Sequence, residues 1–392
     1  MDWQRLPAFY FFVIPAILVR ERGVVMKPKV GIPRALLYYY YFPLWRAFFQ
    51  SLGAEVSLSG PTNKTVLGRG LKQAGDDVCL PVKLAFGHIL ELAGRVDYLF
   101  LPRLVSVAPG EYICPKFLGL PDMVRQTVDG LPPLIDTTVD LYRRHSSLWP
   151  TFARTGQRLK CGRWLVYAAY RRALAEQGRF ESLLRAGRPP EQAMALAARD
   201  GNEQPPETAE QPLVAVIGHP YNIYDHYISM NLLQRLRAAG VRPVTAEMLS
   251  EETVRREAAT LPKRLFWTLS RRMTGAAFYY LRDARVQGMI HVASFACGPD
   301  SITGELIERR ARREGHVPFL NLTLDEHTGE AGVVTRLEAF LDMLQRCRGG
   351  GVPAAGPCRD GAPAAGTEET AGRAGCALPA LVPSAAGGGN FR

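Results

Sequence analysis

Apolar and polar positions fall into two similar blocks along this chain, each reading as short buried strands separated by longer helical stretches. In the first block, residues 29–32, 55–58 and 97–101 are apolar runs of strand length, and 134–135 offers a fourth. Between them, residues 35–52, 64–74 and 81–93 carry helical spacing. Pro43 falls inside the first helical stretch and predicts a break there, because proline removes a helix hydrogen bond and crowds the preceding turn. The second block repeats the scheme, with strands at 213–218, 241–244, 286–292 and 318–324. Its helices are expected at 229–239, 246–258, 264–281, 299–314 and 331–347. Strand and helix alternating at this spacing predict parallel sheets, and hence an α/β fold of two Rossmann-like lobes.

The stretch between the blocks is helical in pattern and rich in arginine, and GNEQPP at 201–206 reads as a linker. The expected organisation is an extension over 1–26, a first α/β lobe over 27–140, an Arg-rich helical segment over 141–206, a second α/β lobe over 207–347, and a tail over 348–392. The tail is dominated by Gly, Ala and Pro without apolar periodicity, a composition that cannot repay its ordering entropy, so disorder is expected. In the extension, residues 7–19 are apolar but too few to span a bilayer, and Pro15 interrupts them. No membrane association is predicted, and MKPKVGI from Met26 reads as a natural start.

The formal net charge of +11 is concentrated rather than spread. Residues 151–200 hold ten Lys/Arg against four Asp/Glu, which makes this segment a solvated face able to attract an acidic partner or a nucleotide-bearing substrate. Arg171 and Arg172 are the candidate contacts. No motif of interleaved aromatic and basic residues accompanies the charge, so nucleic-acid binding is not predicted.

Seven cysteines occur without a close-spaced even framework and without a CxxC pair. That pattern fits neither a secreted disulfide scaffold nor a zinc knuckle, and it suits a reducing cytoplasm. Three of the seven share a local setting: Cys79 in CLPVK, Cys114 in CPK and Cys297 in CGPDS, each followed within two residues by proline where a helix or turn can begin. Free N–H groups and the helix dipole favour a thiolate at such a position. These three residues are either ligands of an iron–sulfur cluster held between two lobes or ordinary buried cysteines, and their spacing matches no compact ferredoxin pattern. His219 and the polar run DEHTGE at 325–330 also follow predicted strands, and in open parallel sheets the functional crevice lies beyond the strand carboxyl ends. His219, Asp325, His327 and Glu330 are therefore candidates for a fourth ligand or for its surroundings, with His291 as a further option. His88 and His291 also read as satisfied core histidines.

The runs VGIPRAL (30–36), PTNK (61–64), CLPVK (79–83), YICPKFLGLPD (112–122), GHPYN (218–222), HVASFACGPDS (291–301) and LDEHTGE (324–330) together resemble one family. It is the uncharacterised domain found with CoA-substrate-specific enzyme activases, related to the 2-hydroxyacyl-CoA (2-hydroxyglutaryl-CoA) dehydratase components. The resemblance covers about residues 27–346. It implies that Cys79, Cys114 and Cys297 hold a [4Fe-4S] cluster and that an ATP-dependent activase or dehydratase component in trans supplies a low-potential electron. An acyl-CoA is the substrate class it implies. The chain departs from the activase itself: it has no Gly-rich phosphate loop, Gly68-Arg-Gly70 being too weak a match, so it is not the ATPase. Three readings remain open at this level: a dehydratase-like component acting on acyl-CoA, a non-catalytic electron relay or scaffold, and a metal-free α/β protein that binds a small molecule.

Overall fold

The computed structural model describes residues 19–21, 24–199, 211–315 and 317–348. Residues 1–18 of the expected extension, the linker at 201–206, most of the expected tail and two of its cysteines, Cys358 and Cys376, lie outside the described residues. Val19–Glu21 (β1) and Val24–Met26 (β2) pair antiparallel ahead of the first lobe.

That lobe is built on four parallel strands in the order β4-β3-β5-β7, namely Glu55–Leu58, Lys29–Ile32, Tyr98–Phe100 and Leu134–Ile135. Its helices are α1 (Tyr38–Ser51), α2 (Lys64–Gln73), α3 (Leu80–Leu92) and α4 (Pro115–Thr127). The second lobe repeats the topology with β10-β9-β11-β12, namely Arg242–Thr245, Leu213–Gly218, Val286–Ser294 and Phe319–Leu324. Each sheet thus starts in its interior, runs to one edge and then crosses to the other side. The crossover leaves a switch point beside the starting strand, the position at which open α/β sheets form their crevice. All six residues of β9 are buried, as a strand covered on both faces requires.

Departures from the sequence-level expectation have clear causes. The helix through Pro43 is not broken: α1 runs continuously from Tyr38 to Ser51. Pro43 lies early in the helix, where it forfeits one backbone bond, and burial of ten of its fourteen side chains outweighs that loss. Trp45, for example, stacks on Phe152 at 4.7 Å between ring centroids. The short parallel pair β6 (Arg103–Ser106) and β8 (Thr138–Asp140) has too few residues to display a period.

The Arg-rich segment forms α5 (Trp149–Arg158), α6 (Arg163–Arg185) and α7 (Pro190–Ala197). It packs on the first lobe: Val166, Ala169, Ala173 and Phe180 bury one face of α6, and Glu176 pairs with Arg46 of α1 at 2.7 Å. Arg171 and Arg172 stay on its exposed face. The second lobe is completed by α8 (Pro220–Ile223), α9 (Leu232–Ala238), a 3₁₀ turn at Ala246–Met248, α10 (Glu251–Ala258), α11 (Thr268–Arg282), α12 (Gly298–Glu314) and α13 (Glu330–Arg348). The turn and α10 replace the single helix expected at 246–258, because Ser250 caps a new start by accepting the Thr253 N–H. One apolar core runs from the first lobe through α6 into one face of the second sheet, and a smaller one fills that sheet's other face. No helix among the described residues is long and apolar enough to cross a membrane.

Candidate functional site

Cys79, Cys114 and Cys297, far apart in sequence, line a single cavity between the lobes. Each is the residue immediately before a helix: Cys79 before α3, Cys114 before α4 and Cys297 before α12. Proline in the first turn of each helix presets the helical φ where an N–H would be unpaired anyway. None of the three sulfurs accepts a capping hydrogen bond. Three helix N-termini and three thiols therefore face the same space, which encloses about 440 Å³ with its mouth included. His219 enters at the end of β9, and Cys297 follows the adjacent strand β11, on either side of the second sheet's switch point. Gly218 permits this: a Cβ there would lie 2.4 Å from the Val292 carbonyl oxygen. Ala296, in the left-handed region at φ 62°, turns the chain sharply into Cys297.

Two devices tie the Cys114 loop to the second lobe. The Tyr112 N–H donates to the Phe266 carbonyl at 2.8 Å, and the Thr268 N–H donates to the Tyr112 carbonyl at 2.9 Å. Beneath them Glu111, 1% exposed, pairs with Arg271 at 2.7 Å, and Arg271 also donates to Glu251 at 2.5 Å. A third tie comes from α3, where buried Lys83 reaches Glu326 across the interface at 2.5 Å.

The electrostatics of the cavity follow from burial. It pushes the Cys79 thiol up and the Cys297 thiol well up, the latter with help from Asp300. Burial lowers the His219 pKa, and the neighbouring Asp300 carboxylate opposes it. Nε2 of His219 lies 3.9 Å from Cys297 Sγ, and Nδ1, although buried, has no hydrogen-bond partner. Asp300 is fully buried; burial pushes its carboxyl up, but His219, His291 and the Ser294 N–H hold it below the usual range. The Asp300 contact with His291 Nε2, at 3.4 Å, is an ion-pair distance rather than an aligned hydrogen bond. Potential ligand atoms of His219, Cys297 and Asp300 lie within 4.8 Å of one another. Lys116 adds a cation to the wall, and Leu36, Val82, Phe117 and Leu269 supply apolar cover. The Ser270 hydroxyl, also on the wall, is buried without a partner.

Of the candidates named from sequence outside the cysteines, His219 alone lies on this cavity. Asp325 and Glu330 line a separate interlobe pocket with Leu80 and Leu84. There Asp325 closes a local turn with Thr328 and the His327 N–H, while Glu330 pairs with Arg235. His327 is exposed. His88 and His291 are core histidines with one partnered ring nitrogen each, Thr62 for His88 and Asn321 for His291. Asp300, Tyr221 and Trp267 were not singled out from the sequence. Asp300 stands three residues after Cys297, within the quoted motif, and a carboxylate in the first turn of a cysteine-capped helix was the available signal.

Fold and site together define an α/β protein whose two lobes close over a cysteine-lined cavity. Residues 29–249, more than half of the chain, match the family model described as CoA enzyme activase uncharacterised domain (DUF2229), and the chain belongs to that family. Residues 193–344 match the model of the 2-hydroxyglutaryl-CoA dehydratase D-component. The first match includes Cys79 and Cys114 and the second includes Cys297; His219 lies in both. No curated protein matches the chain.

Proposed function

We infer that the chain is an iron–sulfur protein of the acyl-CoA dehydratase/activase system, with a [4Fe-4S] cluster held by Cys79, Cys114 and Cys297. The observation that carries this reading is the convergence of three distant, uncapped, helix-heading thiols on one cavity. The donor set suits the group: cysteine is the usual cluster ligand, and helix N-termini with Lys116 offset the negative charge of thiolates in a buried space. The unpartnered Nδ1 of His219 and hydroxyl of Ser270 mark polar capacity the protein itself does not use. When bound, such a cluster supplies a low-potential electron and an iron able to polarise a carbonyl oxygen.

The protein's own residues do the rest. Leu36, Phe117 and Leu269 exclude water, His219 offers a fourth ligand atom or a hydrogen bond beside the cluster, and the interlobe ties hold the Cys114 loop in register. The family match supports a partner in trans that provides the electron, and an acyl-CoA as the compound acted on. Anaerobic purification with iron and sulfide analysis tests the assignment. Wild type is expected to contain both and to absorb broadly near 400 nm (roughly the range of iron–sulfur charge transfer), and Cys297→Ser is expected to lose both. An iron- and sulfide-free wild type after reconstitution refutes it.

The compact His219, Cys297 and Asp300 group favours one competing reading, a single metal ion with mixed ligands. It predicts metal without acid-labile sulfide, retained in Cys79→Ser and lost in Asp300→Asn.

A further inference from the structure

A second cavity adjoins the thiol cavity within the first lobe. It is formed by the β3–α1 turn, α1, α3, the end of β5 and α4, and it encloses about 650 Å³ with its mouth included. None of its lining residues is Asp, Glu, Lys, Arg or His; the polar side-chain groups are the Tyr38 and Tyr41 hydroxyls and the Trp45 indole. Leu36 and Phe117 border both cavities. Leu36 is also strained, held in the left-handed region at φ 54°, where a bulky side chain is disfavoured. Backbone strain of this kind is kept where the surrounding structure needs a side chain in one place, and here that place is the partition between the cavities.

We propose that this apolar cavity receives a short, uncharged acyl or aryl group of a CoA thioester, whose carbonyl end passes Leu36 and Phe117 toward the three cysteines. The lining selects the class. An alkyl or phenyl group gains by leaving water, whereas the terminal carboxylate of a glutaryl-type group would be buried against a lining that carries no cation, Arg34 and Arg46 being stacked on the Tyr38 and Phe42 rings without being part of it. The proposal rests on the thiol cavity being the reactive centre, so the two are tested by separate readouts.

The experiment is calorimetric titration of the anaerobically purified full chain with isovaleryl-CoA, glutaryl-CoA and free CoA, with iron and sulfide measured on the same samples. Isovaleryl-CoA is expected to bind at least about tenfold more tightly than glutaryl-CoA, a difference of about 1.4 kcal/mol. Ala35→Phe fills the cavity from a half-buried position and is expected to bring isovaleryl-CoA to the affinity of free CoA without changing iron content. Phe42→Leu enlarges the cavity and should shift preference toward 3-phenylpropionyl-CoA, which keeps the test open if Ala35→Phe folds poorly. Equal binding of isovaleryl- and glutaryl-CoA, no binding of either, or a preference untouched in both variants overturns the proposal. An iron-free protein that still prefers the apolar thioester upholds the cavity and refutes the cluster; an iron-bearing protein without that preference does the reverse.

Discussion

Replacing Arg271 by methionine should cost more than any exposed charge substitution in this chain. Arg271 is 4% exposed and sits between Glu111, 1% exposed, and the half-exposed Glu251. Removing it strands the Glu111 carboxylate in a dry site, where the other cation paired with it among the described residues is Arg264 at 3.5 Å, largely exposed itself. Breaking a buried pair from one side costs about 3–5 kcal/mol, because the surviving charge loses its partner without regaining water. Glu111→Gln keeps the shape and leaves Arg271 bonded to Glu251, so about 1–3 kcal/mol is expected. The double variant removes the stranded charge and should be more stable than Arg271→Met alone. Guanidinium unfolding of all four proteins, followed by far-UV dichroism, gives the cycle. Glu111 lies three residues before Cys114, so iron retention should fall in step with stability. A cost below about 1 kcal/mol for Arg271→Met, or a double variant weaker than it, refutes the claim that this pair bears the interface.

Single Cys→Ser changes at 79, 114 and 297 should each remove most of the iron, whereas Cys161→Ser, off the cavity, should leave iron and sulfide at wild-type levels. Burial, with Arg34 adding to it, lowers the His88 pKa from 6.5 to about 4. The unfolded chain therefore takes up a proton in that window which the folded state refuses. Stability should be full above about pH 6.5 and decline by up to about 3 kcal/mol as the pH falls toward 4. Asp225, held above its usual range by burial, acts in the opposite direction, and His88→Gln should flatten the decline in a pH series of melting curves. Gly218→Ala drives a Cβ against the Val292 carbonyl and should lower stability by about 1–3 kcal/mol, with a shifted His219 ring signal by NMR.

Much of this architecture can be read from period and punctuation. Buried strands such as LVAVIG and the segment around Asp97–Leu101 stand out because parallel strands are covered on both faces. Cysteine followed by proline marks a helix start by local chemistry alone, and three such starts were visible. Asp300 was not, because a carboxylate beside a helix start is ordinary until His219 and His291 are brought to it from other strands. The DEHTGE run was legible as costly polarity but not as pairing, since Lys83 and Arg235, the partners of Glu326 and Glu330, are 243 and 95 residues away. Pro43 misled for a related reason: helix propensity is a local quantity, and burial on both sides of α1 overrides it.

By itself, then, the sequence determined the element types, the doubled α/β plan and the three cysteine-headed helices, because these depend on periodicity and on bonds within a few residues. Tertiary structure alone decided that the three thiols share one cavity with His219, that Glu111 and Arg271 lock the lobes around it, and that an uncharged chamber opens beside it at Leu36. Those facts depend on strand order and on desolvation across the lobe interface, and neither is written in any local stretch of the chain.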